Sequence, residues 1–359
     1  MVRLFIFFFL LQTLPVAGAT NEEILAVMAR QTIEQHIRPG YLQLQQQSSS
    51  LHQKIQTLCQ APSQANLKQA QDQFSKTVLA FAFIEHVHFG PMVDSYRRER
   101  FSYWPDRKGR GARAVRKILR LEDQSVLSAD SLAKKSVAVQ GLTALELVLY
   151  KSSENLLGTA NSFHCRYGQA IAQNLVTIAD QVVAGWGPKA DIVQQMLAPK
   201  TDNGRYRNRK EVVQEIYQAI VSGFKTLHDV RLKPVLGKTI ETPKPKRAAF
   251  WRSGLSIDVM QHHLEGLKHL VSVSGFQNML PANSVDLQKH VALIYKEIGQ
   301  EFQRFEQEKL SIADVVSTEN PRNNYENIAA RIMHLNAGFA RNFAVAADLP
   351  LGFNATDGD

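Results

Sequence analysis

The stretch SVAVQGLTALELVLY, residues 136–150, carries the residue types best suited to chemistry. It is apolar nearly all round, which predicts a helix buried on most sides. Gln140, Thr143 and Glu146 interrupt it at a spacing of three, and that spacing aligns them along one side of a helix. Gly141 beside them lets another backbone or a ligand come close. A carboxylate inside a protein is costly unless a cation, a metal or a proton neutralises it. Glu146 therefore needs a partner. Two kinds satisfy the requirement: an arginine of the 97–100 cluster in a structural salt bridge, or a metal ion.

The source of that arginine is unusual in itself. Residues 84–113, IEHVHFGPMVDSYRRERFSYWPDRKGRGAR, form a long connection rich in Arg, aromatics, Gly and Pro. Long ordered loops in compact proteins are often functional. Arg97, Arg98 and Arg100 flank Glu99, and Trp104-Pro105-Asp106 follows. The arginine fork suits bidentate contact with carboxylate or phosphate. Between 97 and 120 ten basic residues face only Glu99 and Asp106; the 107–120 part reads as a solvated basic face.

Other clusters are weaker. Glu85, His86 and His88 close a predicted helix, and a metal there would need further ligands from elsewhere. An ordinary helix end explains them as well. His262 and Glu265 stand three apart, with His269 further on. They lie in the amphipathic run QHHLEGLKHL, where exposed polar residues are expected. The chain has no HExxH, no GxSxG, no P-loop, no GxGxxG opening a helix and no CxxC. A hydrolase site would have to be gathered from distant segments.

The elements that must position these residues are helices. Ile171, Leu175, Ile178, Val182 and Trp186 fall on one helical face. So do Val213, Ile216, Ile220, Phe224 and Leu227, and again Leu287, Val291, Ile294, Ile298, Phe302 and Phe305. Sustained period-2 alternation is missing. The expected class is all-α, built as helix bundles that bury these stripes against one another. At roughly 100–200 residues per domain, the 359 residues suggest two domains. The polar stretch Lys200–Arg209 is the natural boundary, giving domains at 20–199 and 200–359. Thr242–Lys246, TPKPK, reads as a stiff basic loop.

Residues 1–19 read as a cleavable signal peptide: Arg3, an apolar run from Leu4 to Leu14, then Ala17-Gly18-Ala19. The apolar run is short of the roughly 20 residues that span a bilayer. Export predicts a periplasmic protein without a transmembrane anchor after cleavage. Two cysteines, Cys59 and Cys165, are an even count for an oxidising compartment, which invites a disulfide; two buried thiols are the alternative. The net charge of +9 would suggest nucleic acid in the cytosol. Export leaves acidic headgroups, lipopolysaccharide or an anionic small ligand, and the basic 97–120 segment is the candidate for peripheral membrane contact.

The order of segments resembles the imelysin-like proteins over nearly the whole exported part. The matching segments are RPGYLQL at 38–44, LCQAPS at 58–63, HFGPMVDSYRRERFSYWPDRKGRG at 88–111, VQGLTALELVLY at 139–150, HCRY at 164–167, FWRSGLS at 250–256 and LGFNATDGD at 351–359. The resemblance implies two similar four-helix bundles, a functional site where they meet, an envelope location and a part in iron uptake. The family was first classed as metallopeptidases on a GxHxxE motif. Here that motif reads Gly141-Leu142-Thr143-Ala144-Leu145-Glu146, with threonine at the histidine position. Threonine is a poor ligand for first-row metals beside imidazole.

The expected function is therefore a non-enzymatic periplasmic protein that binds a metal ion, such as iron or another divalent metal, or a small ligand between the bundles. Glu146 would supply charge and the metal contact, Gln140, Gly141 and Thr143 the close polar wall, and Arg100, Trp104 and Glu85 further contacts. Trp251, Arg252 and Ser253 would reach in from the second bundle. Asn354, Asp357 and Asp359 are oxygen ligands suited to hard cations. A metal-dependent peptidase is one alternative. A scaffold for iron-transport or other envelope proteins, using the basic face at Arg107, Lys108 and Arg110, is another.

Overall fold

A computed structural model describes residues 20–106, 108–202, 204–280 and 285–346. The proposed signal peptide, Arg107 and the Asn354, Asp357 and Asp359 cluster lie outside the described residues. Among the described residues all regular structure is helical. No described helix is long and apolar enough to cross a membrane.

Thr20 caps the first helix, α1 (Asn21–Gln31), in a reciprocal box with Glu23. A π-helical segment, Thr32–Ile37, joins it without a break to α2 (Arg38–Gln60). The extra residue of a π-turn rotates the helix face, and this one turns Thr32, Ile33, His36 and Ile37 all inward. Ser63 caps α3 (Gln64–Ile84), which returns antiparallel to α2. The long loop follows, carrying two short helices, α4 (Arg97–Phe101) and α5 (Arg110–Leu121). After α6 (Leu142–Glu146), α7 (Phe163–Gly185) packs along α2. Its stripe from Ile171 to Trp186 is buried as the periodicity predicts.

The second half places α8 (Arg209–Thr226), α9 (Ser256–Val273), α10 (Val285–Gln307) and α11 (Glu319–Ala346) in the same manner. Val213, Ile216, Ile220, Phe224 and Leu227 are all buried, as are Ile294, Ile298, Phe302 and Phe305. The two halves interlock rather than merely abut. Helix α1 packs against α8, and α3 against α9. One contiguous core runs through both halves. A Cβ at Gly266 of α9 would sit 1.9 Å from the Phe83 carbonyl oxygen of α3, so the absent side chain sets how closely these two helices approach.

Cys59 and Cys165 form a disulfide with a Cα–Cα distance of 5.5 Å, joining the end of α2 to the start of α7. Their separation of 106 residues means that the crosslink closes a loop holding α3, the long loop and α6. In the chain-entropy description a loop of about a hundred residues contributes roughly 4–5 kcal/mol. A Cys59→Ser, Cys165→Ser double variant should lose stability of that order in urea denaturation. A change below about 1 kcal/mol would show that the crosslink constrains the unfolded chain far less than its span implies.

Candidate functional site

Glu146 ends α6 and is 2% exposed. Its donors come from a turn more than a hundred residues later. Oε1 accepts from the Arg252 backbone N–H at 3.1 Å, the Ser253 N–H at 3.0 Å and Ser253 Oγ at 2.9 Å. Oε2 faces Arg252 Nη1 at 3.4 Å. Burial pushes the Glu146 pKa up, and the Ser253 and Arg252 contacts oppose that shift. The turn is built to aim these groups. Phe250 has φ of 54° and Gly254 of 77°. Left-handed geometry costs a bulky residue energy, and the buried Phe250 ring packs edge-on against Phe74 of α3. The expected partner for Glu146 in the 97–100 cluster is therefore replaced by Arg252, across the two halves.

The expected polar stripe is also corrected. Gln140 does not share the helix of Thr143 and Glu146. Gly141, at φ of 83°, starts that helix, and Gln140 precedes it in extended backbone. A Cβ on Gly141 would stand 2.4 Å from the Arg100 carbonyl oxygen, so only glycine admits the end of α4 here. Gln140 is fully buried in a network with Arg100 and Asn174. Its Oε1 accepts from Asn174 at 2.8 Å and from Arg100 Nε at 3.2 Å, and Arg100 also donates to Asn174 Oδ1 at 3.0 Å. These residues fix the long loop against α7.

Thr143, Glu146, Trp104, Trp251 and Arg252 do come together, around a cavity of about 830 Å³. Tyr103, Pro105 and Asp106 extend one wall, and Lys244, Lys246 and Arg247 form a rim. Ser253 acts on the cavity through Glu146. Gln140, Gly141 and Arg100 are not among the lining residues. The rim was legible only as a stiff basic loop, because nothing in TPKPK states which helix it will face.

The donor set does not fit a metal ion. Both Glu146 oxygens are already engaged, a guanidinium stands beside them, and threonine fills the place of the imidazole. A cation here would be repelled by the charge of Arg252, 3.4 Å from Oε2.

Glu85 belongs to a different buried cluster, packed between α3 and α9. Its Oε2 accepts from Arg231 Nη2 at 2.5 Å, and its Oε1 lies 2.8 Å from His263 Nδ1 without the alignment of a hydrogen bond. Burial alone would raise the Glu85 pKa; Arg231, His263 and Arg98 together bring it well below the usual carboxylate range. His86 is not at an ordinary helix end. Its Nε2 stands 2.9 Å from His36 Nε2, and His36 Nδ1 stands 2.9 Å from His269 Nδ1. His262 bonds the Asp258 carbonyl at 2.9 Å and Glu265 is exposed, as their amphipathic run predicts. The sequence reading missed His36, His263 and Arg231. His263 could have been found, since it falls in phase with the buried Met260, Leu267 and Leu270. Arg231 and His36 sit on π-turns, which no apolar period reveals.

This cluster should make the protein acid-sensitive. Burial lowers the pKa of His36 and of His88 to about 3, and lowers His86, His263 and His269 as well. A folded pKa below the unfolded value of about 6.5 gives stability that is full above that pH and lost as pH falls toward 3. Glu85 works in the same direction only below the ordinary carboxylate range. From pH 7 to pH 5, His36 and His88 should each remove about 2 kcal/mol. Urea melts across that range check this, with His36→Gln reducing the slope; stability independent of pH between 5 and 7 would contradict it.

Comparison with known proteins follows the same lines. A chain from Psychrobacter arcticum 273-4, an imelysin-like protein, superposes with a TM-score of 0.74 at 18% identity, covering 94% of this chain and 99% of that one. A chain from Parabacteroides distasonis ATCC 8503, named as an iron-regulated protein A precursor, gives 0.70 at 12% identity, covering 93% and 97%. No curated protein matches the sequence. The sequence model of the imelysin family, Peptidase_M75, matches residues 37–337. With that match over most of its length and helices arranged as in an imelysin-like structure, the chain belongs to the imelysin family.

Proposed function

We propose that this chain is a non-enzymatic, exported member of the imelysin family that binds a small ligand in the cavity beside Glu146 and assists iron uptake. One observation carries the reading. The only carboxylate of the GxHxxE segment is spent on holding the turn at 250–253, and that turn closes one end of an 830 Å³ cavity. A volume of this size suits a small organic ligand. The link to iron comes from the Parabacteroides neighbour's name and from the family resemblance. Export is supported by the amino-terminal sequence and by the word precursor in that name.

A peptidase would need an activated water on a metal held by several side chains. Glu146 Oε1 already accepts three donors and Oε2 faces the Arg252 guanidinium, an arrangement that disfavours it as ligand or base. Partner binding through the basic segment is a second reading, and one feature favours it. Helix α5 buries Val115 and Leu119 while exposing Arg113, Arg116, Lys117 and Arg120, a face suited to an acidic envelope protein or anionic headgroups.

The test is complementation under iron restriction. A host strain lacking the protein should grow more slowly when iron is limiting. The wild-type gene should restore growth, and a Trp104→Ala, Trp251→Ala variant should not. Equal growth with and without the protein would remove the iron role. Peptide hydrolysis abolished by chelation and by Glu146→Gln would replace this reading with the peptidase.

A further inference from the structure

The cavity has a charge that its floor does not suggest. Its lining includes Glu146, Asp106 and Asp229 as acids, against Lys244, Lys246, Arg247 and Arg252. Each acid is already occupied. Glu146 is held by Arg252 and Ser253. Asp106 Oδ2 accepts from the Ala112 N–H at 3.1 Å and starts α5. Asp229 pairs with Lys225 at 3.2 Å and with His228 at 2.7 Å. The rim cations differ. Among the described residues, Lys244, Lys246 and Arg247 have no carboxylate partner, and all are exposed to solvent. An unpaired cationic rim over a partly closed, apolar-walled cavity concentrates the field on whatever enters.

The rim is also held in place before any ligand arrives. Pro243 and Pro245 stiffen it, the Lys244 N–H donates to the Val235 carbonyl at 2.8 Å, and the Arg247 N–H closes a turn on Lys244 at 2.9 Å. Ala248, Ala249 and Phe250 anchor the following residues in the core. Prior ordering of this kind lowers the cost of binding.

Trp251 joins the rim to the floor. Lys246 Nζ lies 5.6 Å from its ring centroid, Lys151 Nζ 5.9 Å and the Arg252 guanidinium 4.5 Å. Cations held over the indole make Trp251 a site that gathers positive charge at the cavity wall. Trp104 contributes a second partly buried indole to the same cavity, and its Nε1 is buried without a partner among the described residues.

We infer that the cavity takes an organic polycarboxylate with a flat, unsaturated face, free or wrapped around a metal ion. The inference rests on the ligand-binding reading above and names its ligand class. The flat face would lie against Trp104, and the carboxylates would meet Lys244, Lys246, Arg247 and the cations over Trp251. A bare cation is repelled by the same rim. A metal enters only when its chelating acids make the whole complex anionic.

The experiment is a titration of the full exported chain, followed by tryptophan fluorescence and calorimetry. The probes are benzene-1,2,4-tricarboxylate, its ferric complex, benzyl alcohol and zinc chloride. The tricarboxylate and its ferric complex should quench saturably, with affinity falling as salt rises. Benzyl alcohol and zinc should bind at least about tenfold more weakly. Lys244→Glu, Lys246→Glu and Arg247→Glu together should weaken the tricarboxylate by at least about thirtyfold. These side chains are exposed, so an unchanged thermal melt confirms that the variant folds. Trp104→Phe and Trp251→Phe, made singly, show which indole reports.

Failure of both anionic probes to bind overturns the inference. So does an affinity that the triple reversal leaves within about threefold, or zinc binding that the reversal strengthens. Equal binding of benzyl alcohol overturns it too, because the pocket would then select shape and not charge. None of these outcomes decides the iron role, which the complementation experiment tests separately.

Discussion

A carboxylate taken out of water must be met by donors, and Glu146 finds all of its donors on one distant turn. The Arg252 and Ser253 N–H groups and the Ser253 hydroxyl converge on a single oxygen at 2.9–3.1 Å. Leaving such a group without those partners would cost several kcal/mol. The turn at 250–254 cannot drift from α6, and the rim at 244–247 runs directly into that turn. The position of the cavity wall thus follows from the solvation needs of one side chain. It also gives the glutamate at the end of the motif a role that needs no histidine, where Thr143 stands. Here the carboxylate joins two segments of the chain.

The helical class was legible because burial imposes a period. Ile171 to Trp186 and Val213 to Leu227 lie where that period puts them. The residues of the long loop stood out by composition, and Trp104 does line the cavity. What could not be read were the local departures from regular helix. Gly141 breaks the predicted 136–150 helix because the end of α4 passes too close for a side chain. Periodicity alone treats Gln140 and Thr143 as neighbours on one face, and the break separates them. The pairing of Glu146 with Arg252 was out of reach for a different reason. Many arginines are chemically equivalent partners, and only the tertiary arrangement selects one.

The three π-turn segments among the described residues belong to the same account. Thr32–Ile37 carries His36, Leu147–Lys151 follows Glu146 at once, and Leu227–Leu232 carries Arg231. Each carries or adjoins a buried polar group. Helices α3 and α9 then meet closely enough, across Gly266, to enclose the Glu85 cluster between them. Polar groups buried in this way restrict the register of the packing, because sliding one helix past the other would strand a charge.

The disulfide has a further consequence, of connectivity. Cys59 and Cys165 make the chain between them a covalent ring. That ring contains the exposed turns at Asp94–Tyr96 and Lys108–Arg110, both Trp104 and Glu146, and the whole of α5. Cutting one peptide bond anywhere in the ring opens it but separates nothing. The two ends stay joined through sulfur, with α2 and α7 still packed on either side. The wall of the cavity built from the long loop is therefore a part of the molecule that a single break cannot detach.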